Sequence, residues 1–352
     1  MGSAEFIIGP DDLVLVTGAT GFIGPKLVES LLRHGFRNLR LFVRPSSDVT
    51  RLEAITRKFS EGARVEIIKG NLLSREDCMA AARDVAVIFH LATSGDKSFA
   101  GAFMNSVVTT RNLLDASIQH AQLRRFVNIS SFAVYSNCNK SRWKTLDETS
   151  PIEPQAAFSG DAYCFAKVKQ DEIVIEYGDK FKIPYVIVRP GSVFGPGKES
   201  ITGRVGIDSF GFFLHMGGSN RIPFTYIDNC ADAVVLSGIK PGVEGEVFNV
   251  VDDNLISSRK FLRLYKRNVR NFSSLYVPHP LSYMLCTMWE KYSNWSKGQL
   301  PPAFNRRRWH AEWKSTRYSN QKLKTKLGWM PKVSMKEALN RYFESCREGR
   351  HA

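Results

Sequence analysis

Leu13-Val14-Leu15-Val16-Thr17-Gly18-Ala19-Thr20-Gly21-Phe22-Ile23-Gly24 is the stretch on which the fold turns. Its first four residues are apolar and β-branched or bulky, the pattern of a buried strand. Three glycines follow at a spacing of three, and after them Lys26–His34 has the apolar spacing of a helix. In a strand–turn–helix unit such glycines let the chain turn tightly, bring backbone close to a pyrophosphate and pack the helix on the sheet. The helix N-terminus then offers N–H donors and partial positive charge to phosphate. Gly18, Thr20, Gly21, Phe22, Ile23 and Gly24 are therefore expected to touch a dinucleotide. A glycine triplet alone would be weak support; the flanking strand and helix supply the context it needs.

Working outward, the same rhythm continues. Leu39–Val43, Val65–Ile68, Val85–Leu91, Phe126–Ile129 and Tyr185–Val188 read as strands, with helical spacing in Phe103–His120 and Tyr163–Tyr177. Alternation of this kind predicts a parallel sheet covered by helices on both faces, with strands apolar almost throughout. After Arg189 the rhythm loosens into a glycine-rich stretch, and strand-like segments return at Ile222–Ile227 and Val247–Val251. The expected fold class is α/β: a Rossmann-type doubly wound parallel sheet from residues 11–190 plus about 222–254. A smaller C-terminal substrate-binding lobe, from 191–221 plus 255–346, is expected to close over the end of the sheet.

Bulk composition narrows the class. With 352 residues, 43% hydrophobic and 24% charged, the chain is neither disordered nor fibrous in character. No apolar run approaches the ~20 residues of a spanning helix. The nearest, Leu275–Trp289, is interrupted by Pro278, His279, Pro280 and Ser282, and reads as a buried helix or lid, with a membrane-touching surface as the alternative. Met1–Pro10 has neither the basic nor the apolar segment of a secretory signal, and Phe6 breaks the myristoylation pattern. The six cysteines are scattered without a Cys-x-x-Cys pair, so no metal site and no disulfide framework is expected, and the thiols suit a cytoplasmic setting.

The net charge of +15 is uneven: residues 1–258 hold 28 Lys/Arg and 29 Asp/Glu, whereas 259–352 hold 21 and 5. A basic C-terminal face suits an anionic substrate or peripheral contact with an anionic membrane; a solvated surface without a partner is the competing reading. Trp309, Trp313 and Tyr318 lie among these charges, but no nucleic-acid module signature accompanies them, and no nucleic-acid partner is expected.

Two further clusters carry chemistry. Arg44 ends the second predicted strand, with Ser46 and Ser47 beyond it and no acid at 43–47. NAD sites usually place a carboxylate there for the ribose 2′-OH, while an arginine accommodates a 2′-phosphate. NADP(H) is accordingly favoured over NAD(H). Tyr163 and Lys167 stand one helical turn apart, a spacing that suits a phenol acting as general acid/base beside a cation that lowers its pKa. Ser131 follows the strand Phe126–Ile129, at the carboxyl end where ligands bind in this architecture.

Together with His90-Leu91-Ala92, Arg189-Pro190-Gly191-Ser192-Val193-Phe194-Gly195-Pro196, Tyr226-Ile227-Asp228-Asn229 and Leu327-Gly328-Trp329-Met330-Pro331, these residues resemble the extended short-chain dehydrogenases/reductases over nearly the whole chain. The resemblance implies that Ser131 polarises the substrate oxygen, Tyr163 is the acid/base and Lys167 bonds the nicotinamide ribose. It places Asn71 and Leu72 beside the adenine, although Asn71 departs from the usual Asp, and adds Leu91, Ala92, Thr93, Asn105, Pro190, Gly191 and Val193 to the cofactor contacts. It also implies a homodimer paired through the helix after the fourth strand and the Tyr163 helix.

Within that family, Phe132-Ala133 stand where dehydratases carry an acidic pair. The Arg189–Pro196 and Tyr226–Asn229 segments look more like the 3β-hydroxysteroid and sterol dehydrogenase group. Phe210, Phe212, Phe213, Leu214 and Met216 are expected either to line an apolar pocket or to be core. The first expectation is NADP(H)-dependent hydride transfer to or from a secondary alcohol or ketone, steroid-like or otherwise apolar. The alternative is a nucleotide-sugar 4-epimerase with tightly bound NAD, its diphosphate met by Arg306–Arg308. A non-catalytic dinucleotide sensor is the third reading, opposed by the intact Ser131, Tyr163 and Lys167 set.

Overall fold

The computed structural model describes residues 5–349 except 60, 94, 120–121, 139–140, 159–160, 199, 210–211, 297–298 and 300–303. Apolar and β-branched runs form seven parallel strands: β1 Val14–Thr17, β2 Asn38–Val43, β3 Arg64–Lys69, β4 Val87–His90, β5 Arg125–Ile129, β6 Tyr185–Pro190 and β7 Val247–Val250. Their order across the sheet is β7-β6-β5-β4-β1-β2-β3, so the chain reverses direction of travel between β1 and β4. Ligands in such sheets sit outside the carboxyl ends at that switch point.

Alternate residues of β1 serve the two faces. Val14 and Val16 pack with Leu27, Val28 and Leu31 of the Gly24–Arg33 helix, and with Val234 and Val235 of Ile227–Ile239. Leu15 packs on the other face with Leu113, Leu114, Ile173 and Val174, from helices Thr109–Ile118 and Ala162–Phe181. The apolar expectation fails at β3, where Arg64, Glu66 and Lys69 are exposed. An edge strand has one unpaired side and tolerates charge; Arg40 of β2 donates to Glu66 at 3.1 Å.

The helix expected over Phe103–His120 starts earlier and is not uniform. It runs as α-helix Phe99–Ala102, a π-helical stretch Phe103–Val108 and α-helix Thr109–Ile118, with Ser98 capping Gly101 N–H at 3.1 Å; His120 lies outside the described residues. The Tyr163 helix spans Ala162–Phe181, capped by Asp161 on the Cys164 N–H (3.0 Å).

Beyond β6, Ser192–Phe194 pairs with Phe224–Tyr226, and Gly206–Ser209, Phe212–His215 and Ser274–Tyr276 form a small sheet. An aromatic core of Phe194, Phe224, Tyr226, Phe261, Tyr265, Tyr342 and Phe343 joins these pieces to helices Ser258–Asn268 and Met335–Glu348. Leu275–Trp289 is not a buried helix: it divides into the end of a strand and a surface helix, His279–Trp295, whose apolar residues are largely exposed.

Two stability predictions follow from packing. A Cβ on Gly24 would lie 2.3 Å from the Ala19 carbonyl oxygen and 2.6 Å from that of Gly18, both backbone. Gly24→Ala should cost about 1–3 kcal/mol in urea unfolding; an unchanged midpoint would refute this packing. Asp252 is buried, accepts from Tyr226 N–H (2.8 Å) and Asn229 Nδ2 (3.1 Å), and is pushed up to about 7 by burial. A carboxyl whose folded pKa is raised binds more proton folded than unfolded, so its contribution is full below its unfolded pKa and lost as pH rises through about 7. The fall in Tm between about pH 5.5 and pH 8 should shrink in Asp252→Asn; an undiminished fall would exclude Asp252 as its source.

Candidate active site

The carboxyl ends of the central strands open into a cleft of about 850 Å³, within the range of small-molecule sites. The residues expected to carry the reaction or touch the dinucleotide line it, with Ser46 left outside: Gly18, Thr20, Gly21, Phe22, Ile23, Gly24, Arg44, Asn71, Leu72, Leu91, Ala92, Thr93, Asn105, Ser131, Tyr163, Lys167, Pro190, Gly191 and Val193. Segments at the ends of six strands thus converge because parallel strands present their carboxyl ends on one edge.

The glycine turn is shaped by close backbone contact. Gly18 has φ +69°, and a Cβ there would stand 2.8 Å from Ala92 N at the end of β4. Gly21 donates its N–H to Gly18 O at 3.0 Å, and a Cβ on it would meet only that oxygen, at 3.2 Å, before projecting into open space. No side chain caps the Gly24–Arg33 helix, which leaves its first turn suited to phosphate oxygens. The turn therefore fits a dinucleotide pyrophosphate. Nearby, Ser47 also lines the cleft, 3.5 Å from the Thr20 hydroxyl. Asp48, the first acid after β2, is turned away: it accepts from Thr50 N–H (2.9 Å) and Thr50 Oγ1 (2.6 Å). Asn71 closes its own turn, its side-chain oxygen accepting from Leu73 N–H at 3.0 Å.

At the other end, the two serines after β5 divide their roles. Ser130 Oγ donates to Asp171 Oδ2 at 2.8 Å, whereas Ser131 Oγ accepts only a backbone N–H from Ala133 (3.1 Å) and reaches the Tyr163 phenol. Tyr163 is open to the cleft (38% exposed), yet protein around its hydroxyl raises its pKa more than Ser131 lowers it. This corrects the expected cation effect. Lys167, one turn on, points inward and donates to Ile129 O (2.5 Å) and Gln170 Oε1 (2.8 Å). Burial pushes its ammonium down to about 8, opposed by Asp171.

Sequence reasoning missed what holds Lys167. Gln170 Nε2 donates to Thr110 Oγ1 (2.8 Å), Thr110 Oγ1 shares a bond with His90 Nε2 (2.9 Å), and His90 Nδ1 shares one with Thr17 Oγ1 (2.8 Å). This buried chain runs from the Tyr163 helix to the first residue of the glycine turn. His90 is kept neutral, pushed down to about 3 by burial with Lys167 adding to the effect. Its signal was a histidine closing an otherwise apolar strand. Beside it Asp171 also takes Asn128 Nδ2 (3.0 Å) and the Arg189 guanidinium (3.1 and 3.0 Å), joining β5, β6 and the helix.

In the lobe, one open alternative is decided and one expectation changes. Phe213 and Met216 are core, Phe212 is 58% exposed, and neither they nor Leu214 line the cleft; Phe210 lies outside the described residues. The apolar wall comes instead from Phe194, Ile201, Phe224, Phe261 and Tyr342. Arg306, Arg307 and Arg308 do not line the cleft either. Arg306 is bidentate on Glu290, Arg308 pairs with Glu312, and Arg307 pairs with Glu153 and Asp161 while donating to Ala133 O and Cys164 Sγ.

Known proteins share this architecture. The NAD-bound crystal structure of UDP-glucuronic acid 4-epimerase from Bacillus cereus superposes with a TM-score of 0.70 at 21% identity, covering 96% of this chain and 97% of that one. Among characterised sequences, 3beta-hydroxysteroid-dehydrogenase/decarboxylase isoform 1 of Arabidopsis thaliana is 22% identical over 94% of this chain and 79% of its own length. The uncharacterized UDP-glucose epimerase YtcB of Bacillus subtilis strain 168 is 28% identical over 67% and 76% respectively. Residues 14–250 match the model of the NAD dependent epimerase/dehydratase family, and the chain belongs to that family, the extended short-chain dehydrogenases/reductases.

Proposed function

We propose that the protein is an NADP(H)-dependent oxidoreductase that interconverts a secondary alcohol and a ketone on an apolar substrate. The observation that carries this reading is the Ser131–Tyr163 hydroxyl pair, which opens into the same cleft as the glycine turn. The dinucleotide, when bound, supplies or accepts the hydride. In the reductive direction Ser131 donates a hydrogen bond to the substrate oxygen, and Tyr163 passes its phenolic proton to that oxygen. Lys167 holds the nicotinamide ribose, kept in place by Ile129 O and Gln170. Gly18, Thr20, Gly21, Phe22, Ile23 and Gly24 cradle the pyrophosphate; Asn71 and Leu72 flank the adenine.

Support for NADP(H) comes from Arg44 and Ser47 on the cleft, with Asp48 occupied by Thr50. Support for an apolar substrate comes from the aromatic wall of the lobe and from the carboxylate partners of Arg306, Arg307 and Arg308. One observation favours a second reading, a nucleotide-sugar 4-epimerase holding NAD. Lys198 lines the cleft, its ammonium 5.5 Å over the Phe22 ring, where it could meet a phosphate. Copurifying NAD together with a thermal shift by UDP-sugars would select that reading.

Tyr163→Phe should lower NADPH oxidation across a panel of ketones by roughly 10²–10⁴-fold while leaving NADPH affinity within about twofold; retained turnover would overturn the assignment. Arg44→Ser should raise KM for NADPH about tenfold with little change for NADH. Equal effects on the two cofactors would remove the case for a 2′-phosphate site.

A further inference from the structure

The His279–Trp295 helix is built inside out. At about 100° per residue, His279, Ser282, Cys286 and Ser293 share one side and are buried. Leu281, Met284, Leu285, Met288, Tyr292 and Trp295 fall together on the other and are exposed, Met288 by 59% and Trp295 by 77%. The inward side is tied down by polar links: His279 shares a bond with the Arg142 guanidinium (2.9 Å), and Ser282 Oγ accepts from Trp309 Nε1 (2.8 Å). A helix surrounded by water and protein alone gains by burying its large apolar residues and exposing its small polar ones. This one does the reverse. Leu275 and Tyr276, in the strand just before it, are exposed as well (62% and 42%).

Positive charge borders the apolar arc. The Arg259 guanidinium lies 5.1 Å over the Tyr276 ring, Lys266 donates to Ser274 Oγ at 2.7 Å, and Lys291 is exposed on the helix itself. Between 259 and 296 the sequence holds seven Lys/Arg and one acid, Glu290, which is held by Arg306.

From this arrangement we propose that the His279–Trp295 face seats on an anionic lipid bilayer, its apolar residues entering the interface and the flanking basic residues meeting acidic headgroups. Apolar area and basic flanks act together in such binding. A second copy of the chain suits this face less well, because the same positive excess would oppose itself. The contact is interfacial: no helix among the described residues is long and apolar enough to cross a membrane. The docked helix is also coupled to the site. Trp309, bonded to Ser282, shares helix Arg306–Glu312 with Arg307, which reaches Ala133 O and Cys164 Sγ beside Ser131 and Tyr163. Resting on the oxidoreductase reading, a membrane-dissolved alcohol or ketone would pass from the docked face to the cleft.

Flotation of the full-length protein with phosphatidylcholine vesicles, with and without phosphatidylserine, tests the docking. Binding should be about tenfold tighter to the anionic vesicles and weaken as salt rises. The double substitution Leu285→Glu/Met288→Glu, at exposed positions away from the cleft, should lose at least about tenfold in vesicle affinity while binding NADPH as before. Absence of flotation with anionic vesicles, or equal flotation of the variant, overturns the proposal. Wild-type self-association abolished by the same substitutions overturns it too, since a second copy would then cover the face. Flotation requires no turnover, so it stands or falls apart from the oxidoreductase reading. Lipid delivery is read separately: the variant should lose kcat/KM for a vesicle-dissolved ketone and keep it for a water-soluble one, and equal losses would refute that step.

Discussion

A charged amine kept in a dry interior is the constraint around which the reaction end is organised. Lys167 is 2% exposed, and burial pulls its pKa down to about 8. Its neighbours answer that cost with acceptors: the carbonyl at the end of β5, the Gln170 amide oxygen and, further off, the Asp171 carboxylate. Each acceptor has to be fixed in turn, which is why Thr110, His90 and Thr17 line up behind Gln170, and why Arg189, Asn128 and Ser130 crowd round Asp171. An isolated buried polar group is costly, whereas a fully connected set rigidifies its surroundings. The cofactor turn and the reaction end are thereby parts of one polar framework rather than two independent sites.

What could be read in the sequence was whatever depends on short spacing. The glycine turn, the Tyr163–Lys167 pair and the strand-end serine all express themselves within a few residues, and all line one cleft. Partners far apart in the chain were invisible. Arg307 looked available for a diphosphate because Glu153 and Asp161 lie well over a hundred residues earlier, and Arg306 because Glu290 stands on another helix; Glu312, one turn from Arg308 on the same helix, could have been read at short spacing. Composition likewise marked an apolar run at Leu275–Trp289 but not whether it faces protein or solvent; that depends on the surface offered by Trp309 and Gly217. Whether the Phe210–Met216 stripe was pocket or core stayed open for the same reason. Phe213 and Met216 pack within the lobe, while Phe194, Phe261 and Tyr342 come from three segments that only the fold assembles.

The two parts of the cleft differ in physical terms. The sheet half supplies hydroxyls, amide donors and close backbone approach, features that serve any substrate whose reacting carbon bears oxygen. The lobe decides what else is admitted. In this chain Arg306, Arg307 and Arg308 are paired with carboxylates and the lobe's side of the cleft is aromatic, so that wall offers shape and a dry surface more than charge.

The π-helical stretch Phe103–Val108 has a consequence of its own. It inserts one additional residue into the turn between Asn105, on the cleft, and Thr110, in the polar chain behind Lys167. The widened turn absorbs that residue, so one helix keeps Asn105 on the cleft and Thr110 against both His90 and Gln170. A single local widening thereby lets two faces of one helix serve the open cleft and the buried chain behind it.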